Sequence, residues 1–280
     1  MKQSLCIITS NTEVMPGVNL MWLEAPDAAA IAQPGQFITV CCGNLVLRRP
    51  FSIHQVDSTR VALLFAIKGK GTFWLSRRQV GEKIDVLGPL GRGFNIESSS
   101  RNLLLVAGGI GIAPLAFLVQ RASLRHLIIL IHGASTAKEL YPSSSLPLTL
   151  SFSLPSGERK ERNSPTPLSD SVQFVPVTED GSVGRKGLVT DVLPDFLDWA
   201  DRVYACGPIS MYEVMSNMLL PAERNKLKMR KCQISLEVRM GCGIGACYGC
   251  TITTRKGLKQ VCRDGPVFDL NDILWEEVVI

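Results

Sequence analysis

Leu103-Leu104-Leu105-Val106-Ala107-Gly108-Gly109-Ile110-Gly111-Ile112-Ala113-Pro114 is the most informative stretch for the architecture of this chain. It opens the apolar run Leu103–Val119, 17 residues that carry three glycines and a proline. A membrane helix needs about 20 apolar residues, so the run reads as a buried strand, a glycine turn and a helix. Four consecutive large apolar residues suit a parallel strand covered on both faces. Gly108, Gly109 and Gly111 allow a nucleotide phosphate close to the backbone, and the helix that follows, with Pro114 near its start, points its N-terminus at that phosphate. The spacing is not G-x-G-x-x-G, so it does not by itself specify a plain dinucleotide fold.

Leu127–Ile131 and Arg202-Val203-Tyr204-Ala205 are further apolar strands with helix-like segments between them. An α/β nucleotide-binding unit over residues 99–224 follows. Cys206-Gly207-Pro208 ends the later strand and is expected at the same crevice; a buried core cysteine is the other reading of Cys206. Within this unit, residues 141–170 hold eight serines and five prolines. Such a composition rarely packs a core, so a mobile insertion without a functional role is expected there.

Before this unit, residues 1–98 look all-β. Gly35–Val40, Arg60–Ile67 and Lys83–Leu87 are short apolar or alternating runs, punctuated by Pro34-Gly35 and Gly88-Pro89, which favours a sandwich or barrel. After it, residues 225–280 become rich in Cys and Gly and read as a third, small unit.

The 280 residues suit about two domains. An apolar share of 46% with 20% charged excludes a disordered or collagen-like chain. The net charge of +5 comes from scattered basic residues, weak grounds for nucleic acid. Met1–Ser10 lacks the apolar run of a secretory signal, so a cytoplasmic setting with reduced thiols is expected. Nine cysteines then point to metal or redox chemistry.

Four of those cysteines are spaced Cys242-x4-Cys247-x2-Cys250-x11-Cys262. That is the plant-type [2Fe–2S] spacing. Three thiolates come from one tight loop, where Gly241, Gly243, Gly245 and Gly249 let backbone N–H groups approach sulfur. A structural zinc site is the alternative, although zinc more often takes two C-x2-4-C pairs.

Two motifs in the β region suit a flavin nucleotide. Arg48-Arg49-Pro50-Phe51-Ser52-Ile53 offers a guanidinium and a hydroxyl on extended backbone, the alternative being a surface basic pair. Gly69-Lys70-Gly71-Thr72 precedes a helix-like stretch and offers an anion site for a pyrophosphate, the alternative being a plain loop.

In this order, Arg-Pro-Phe-Ser, Gly-x-Gly-Thr, Gly-Gly-x-Gly-Ile-Ala-Pro and Cys-Gly-Pro resemble the ferredoxin–NADP reductase superfamily. The tail, Ser235-Leu236-Glu237-x-Arg239-Met240-x-Cys242-Gly243 through Val261-Cys262-x-Asp264-Gly265-Pro266-Val267-Phe268, resembles the electron-transfer subunits of type B dihydroorotate dehydrogenase. The resemblance implies an antiparallel flavin-binding β-barrel, a parallel-sheet nicotinamide-binding domain and a small C-terminal [2Fe–2S] unit. It implies FAD and the cluster as cofactors and NADH as substrate. It implies an FMN-containing catalytic subunit as partner, two of each in a heterotetramer, serving de novo pyrimidine (UMP) biosynthesis, with no nucleic acid and no membrane. FAD contacts would come from Arg49, Pro50, Phe51 and Ser52, from Leu64, Phe65 and Ala66, and from Gly71 and Thr72. Nicotinamide contacts would come from Gly108, Gly109, Gly111, Pro114, Cys206, Gly207 and Pro208, and the cluster ligands would be Cys242, Cys247, Cys250 and Cys262.

The sequence departs from its relatives at Ala66, where they often carry Arg, so a phosphate contact would be missing or come from Lys68. It departs again at Phe65, which lacks a tyrosine hydroxyl. No residue is assigned as an acid or base, because the cofactors carry the chemistry; His54, His126 and His132 read as packing or surface residues. The rival reading is a subunit of another NAD(P)H-linked oxidoreductase, of hydrogenase, sulfite reductase or ferredoxin:NADP reductase type. A zinc-binding scaffold is the reading from a different class. Thr178–Gly181 is a candidate region for the choice between NADH and NADPH.

Overall fold

The computed structural model describes residues 1–146, 171–219 and 231–278. The N-terminal part is a closed antiparallel barrel of six strands: β1 (Lys2–Met15), β2 (Val18–Glu24), β3 (Phe37–Val40), β4 (Arg49–Asp57), β5 (Arg60–Ala66) and β6 (Lys83–Leu90), in the order β1-β2-β5-β4-β3-β6. Alternation fills it. Ile8, Met21, Leu23, Ile38, Ile53, Leu63, Phe65 and Ile84 point inward and form one core, while their neighbours face outward, as the two-residue period of a strand demands. Helix α1 (Pro26–Ile31) follows β2, and α2 (Lys70–Ser76) follows β5.

The second part is a sheet built from β7 (Asn102–Gly108), β8 (Leu127–Ala134), β9 (Val172–Thr178), β10 (Arg185–Lys186), β11 (Arg202–Cys206), β12 (Cys232–Ser235) and β15 (Val267–Asp269). Its order is β10-β9-β8-β7-β11-β12-β15, parallel except for the edge strand β15. Its helices are α3 (Ile112–Ala122), α4 (Val189–Val192), α5 (Pro194–Leu197) and α6 (Ile209–Leu219). Nine of the eleven residues of α3 are buried, the mark of a helix covered on all sides. Phe117 on α3 belongs to the barrel core, whereas Leu115 and Leu118 pack with β7 and β8 residues. The helix is therefore the wedge between the two parts.

The sheet corrects the expected boundary at residue 225. β12 and β15 are strands of the α/β sheet, so the Cys-rich region is inserted between its last two strands. That insertion carries the hairpin β13 (Thr251–Thr254) and β14 (Gly257–Gln260), then α7 (Val261–Asp264).

Two further expectations change. The Ser/Pro-rich stretch begins with anchored residues: Tyr141 and Leu146 are buried, and the Tyr141 hydroxyl lies 2.8 Å from His54 Nε2. The rest of it, residues 147–170, lies outside the described residues. The three histidines are all buried, so the surface reading of them falls.

Candidate functional site

β7 and β11 are parallel neighbours, with Cys206 opposite Ala107, so the turns that leave their ends meet. A Cβ on Gly111 would lie 2.0 Å from the Cys206 carbonyl oxygen, and one on Gly108 2.8 Å from Pro208 Cδ. Glycine is what lets the two turns touch. Gly109 is the open side of the same turn: exposed, at φ +53, with nothing within 4 Å of a Cβ placed there. Pro114 is buried in the first turn of α3, where its missing N–H removes no helical bond. It shapes the start of that helix.

Cys206 is half-buried, and its thiol hydrogen-bonds the Ser235 carbonyl at 3.7 Å. Burial, and then the negative charge of Glu237, push it up to about 12, so it is a neutral thiol. Tyr212 fixes the turn beside it. Its hydroxyl accepts from the Gly207 N–H at 2.9 Å and donates to the Ser235 carbonyl at 2.7 Å. Sequence reasoning missed this residue; its signal was a tyrosine one turn into the helix after Cys-Gly-Pro.

On the barrel, β4 and β5 are antiparallel neighbours, which brings Arg49–Ser52 beside Leu64–Ala66. The Phe51 and Phe65 rings meet at 5.5 Å inside the barrel core, and Leu64 packs on the other face with α3 residues. Those three side chains are buried, so what they offer a ligand is backbone. The two arginines divide their tasks. Arg48 is a clamp, pairing with the Asp85 carboxylate at 2.7 Å and donating to the Asp85 and Thr39 carbonyls. Arg49 lies along Gly71, where an added Cβ would meet its Nε at 3.1 Å. A guanidinium beside a side-chain-free turn fits a pyrophosphate. Thr72 is committed to that turn, its hydroxyl accepting from the Lys68 and Gly69 N–H groups. Lys68 is exposed.

The cysteine loop sits between β12 and the β13–β14 hairpin. Cys250 precedes β13, and Cys262 lies on α7 just after β14. Six backbone N–H groups reach the four sulfurs. Ile244, Ala246 and Cys247 donate to Cys242 Sγ at 3.4, 3.2 and 3.4 Å. Gly245 donates to Cys262 Sγ at 3.1 Å, Gly249 to Cys247 at 3.5 Å and Cys262 to Cys250 at 3.4 Å. Burial opposes ionisation of Cys242, but these donors outweigh it and hold the thiol down at about 6. Burial and the adjacent Cys250 push Cys262 up to about 12. Cys242 has Cys247 as a side-chain neighbour, and Cys262 has both Cys250 and Cys242 near it. Among the described residues, no three His, Cys, Asp or Glu side chains converge on one metal ion. Four thiols drawn together in one loop and met by six N–H donors are a donor set that fits an iron-sulfur cluster.

The loop rests on the barrel. A Cβ at Gly243 would lie 2.9 Å from Thr39 Cγ2 on β3, and Thr39 pairs with Pro50 on β4. One step across the β-ladder, about 4.8 Å, therefore joins the candidate flavin strand to the strand that carries the cysteine loop.

Residues 237–274 match the iron-sulfur cluster binding domain of dihydroorotate dehydrogenase B. Over 275 residues the chain is 35% identical to the dihydroorotate dehydrogenase B (NAD(+)) electron transfer subunit of Desulforamulus reducens, covering 94% of this chain and 95% of that protein. It is 34% identical to the Bacillus mycoides subunit of the same name, covering 98% and 99%. The chain belongs to the family of dihydroorotate dehydrogenase B electron transfer subunits.

A solved NADH-dependent reduced ferredoxin-NADP oxidoreductase, described for flavin-based electron bifurcation, matches with a TM-score of 0.79 and 26% identity over 98% of this chain and 91% of its own. A Neisseria gonorrhoeae ferredoxin NADP+ reductase, solved with bound FAD and NADP, shares the fold at a TM-score of 0.57 and 18% identity, over 84% of this chain and all of its own. The expected architecture, an antiparallel barrel with a parallel-sheet α/β part and a C-terminal iron-sulfur unit, is thus the one found, and the barrel has six strands. Membership of this family leaves the zinc scaffold without support. Among the described residues, no helix is long and apolar enough to cross a membrane.

Proposed function

We propose that the chain is the NADH-linked subunit that delivers electrons to the FMN-containing catalytic subunit of a dihydroorotate dehydrogenase. It would work in the cytoplasm, in a complex of two copies of each subunit, in pyrimidine synthesis. The observation that carries this reading is the seating of the cysteine loop on β3, one strand from Arg49–Ser52, in a chain 35% identical over nearly its full length to a named electron transfer subunit.

Arg49 and the turn before Thr72 would hold the FAD pyrophosphate, with the backbones of Pro50–Ser52 and Leu64–Ala66 along the flavin. The turns Gly108–Gly111 and Cys206–Pro208 would hold the nicotinamide nucleotide. Cys242, Cys247, Cys250 and Cys262 would hold the cluster. When bound, the flavin takes electrons as a hydride pair and the cluster passes them singly.

The chain's own residues orient and tune. The six N–H donors offset negative charge on the sulfurs. The neutral Cys206 thiol places no charge in the nicotinamide crevice at neutral pH. Thr178–Gly181 lies at the end of β9, where Glu179 accepts from the Ser135 hydroxyl after β8 at 3.0 Å. A carboxylate there favours a ribose 2′-hydroxyl over a 2′-phosphate, in line with NADH.

Coexpression with the catalytic subunit should give a complex that reduces orotate with NADH. Cys247→Ala should abolish the [2Fe–2S] EPR signal of the dithionite-reduced protein and the NADH–orotate activity, while bound FAD remains. An unchanged EPR signal would remove Cys247 from the ligand set. A complex that forms but does not couple NADH to orotate would favour the rival reading, a subunit serving another oxidoreductase.

A further inference from the structure

His132 stands on β8 with Ala107 and Pro176 as its strand partners and the Phe174 ring 6.2 Å away. It is wholly buried. Its Nε2 lies 3.0 Å from the Gly109 carbonyl oxygen. A carbonyl only accepts, so Nε2 carries the proton and Nδ1 is a bare lone pair. That Nδ1 is buried and has no hydrogen-bond partner. Burial keeps the ring neutral, down at about 4. An orphaned acceptor in a core is destabilising, and an apolar side chain would avoid it. What the histidine supplies in return is its bond to Gly109.

We infer that His132 is a positioning residue for the dinucleotide-binding turn. In a planar trans peptide the C=O and the N–H point in opposite directions. With the Gly109 carbonyl held inward by His132, the Ile110 N–H of the same peptide is turned outward. Gly109 is at φ +53 with nothing within 4 Å of an added Cβ; its carbonyl accepts the Ile112 N–H within the turn, and His132 is the side chain that holds it from the sheet. The Ile110 N–H then faces the crevice where an anionic phosphate of the dinucleotide would lie. The inference rests on the nicotinamide-binding role proposed above.

The test compares His132→Phe, which keeps a ring and loses the donor, with His132→Gln, whose amide N–H2 reproduces the Nε2 donor. NAD+ affinity is read by calorimetry on the FAD- and cluster-loaded protein. KM and kcat are read from NADH-driven dye reduction. His132→Phe should raise the Kd and the KM about tenfold, the size expected when one buried hydrogen bond is lost, with kcat at saturating NADH within about twofold. His132→Gln should stay within about threefold of wild type. Where His132→Phe does not accumulate as holoprotein, His132→Met, also without a donor, takes its place. Equal affinity of wild type and the donor-less variant overturns the positioning role, as does a His132→Gln as weak as His132→Phe. Failure of the wild type to bind NAD+ or NADH overturns the functional reading and this inference together, so the two failures are distinguishable.

Discussion

Two glycines two positions apart do different work at residue scale, and substitution separates them. A methyl on Gly111 would lie 2.0 Å from the Cys206 carbonyl, so Gly111→Ala must push β7 from β11 or reshape the turn. Overpacking of this kind costs about 1–3 kcal/mol. Gly109→Ala meets open space and carries only the strain of φ +53, about 1–2 kcal/mol. Thermal unfolding should therefore show the larger loss for Gly111→Ala, and NADH affinity should fall with it because Gly207 and Pro208 move. Equal losses would mean that the Gly111–Cys206 contact is not rigid. These glycines and the four cysteines were legible in the sequence because each lies in a local motif of fixed spacing. Tyr212, His132 and Gln260 were not. Gln260 Nε2 donates to the Gly245 carbonyl at 2.9 Å, and the Gly245 N–H meets Cys262 Sγ. Its role, like theirs, exists only through a partner that the fold brings near.

At the scale of elements, strand identities followed from apolar runs and their period, and the barrel and sheet from how those runs are ordered. The joint between them did not. Beside the apolar face of α3, it uses polar groups whose partners are 59 to 64 residues away in sequence. His54 on β4 donates from Nδ1 to the Ala113 carbonyl on α3 at 3.0 Å. On the same two elements, the Gln120 amide brackets the Val56 peptide, accepting from its N–H at 3.1 Å and donating to its C=O at 2.7 Å. The His54 ring faces Tyr141, Gln55 and Ala113, all uncharged.

Burial, partly opposed by the Ala113 hydrogen bond, depresses its pKa from 6.5 to about 4. Between those values the unfolded chain binds the proton and the folded one does not. Stability is thus full above about 6.5 and is lost as pH falls toward 4. The loss at pH 5 is about 2 kcal/mol for this ring, and His132, shifted alike, adds a similar amount. Urea midpoints at pH 8 and pH 5 should differ accordingly. His54→Leu should be less stable at pH 8 but should lose about half of that pH dependence. A variant with the full dependence would show that His54 ionises freely in the folded state.

Over the whole molecule, the bound cofactors would offset most of the basic balance. The chain carries +5; four thiolates around a +2 iron-sulfur core leave about −2, and a flavin pyrophosphate adds about −2, so the loaded protein is near +1. The order of motifs was visible along the chain, but not that the cysteine loop is nested between β12 and β15 and seated on β3. That seat is testable without touching a ligand. Thr39 is buried beneath Gly243, and its hydroxyl has no hydrogen-bond partner. Thr39→Ile removes the orphaned oxygen but adds volume under the loop, an overpacking of about 1–3 kcal/mol directed at the contact between barrel and loop. FAD content and the [2Fe–2S] EPR signal should persist, because Arg49, Gly71 and the four cysteines are untouched. In rapid mixing with NADH, flavin bleaching should keep its wild-type rate while cluster reduction slows, since only the second step crosses β3. Parallel slowing of both would place the disturbance at the nicotinamide crevice, and an unchanged second phase would show that electrons do not leave the barrel through the β3 seat.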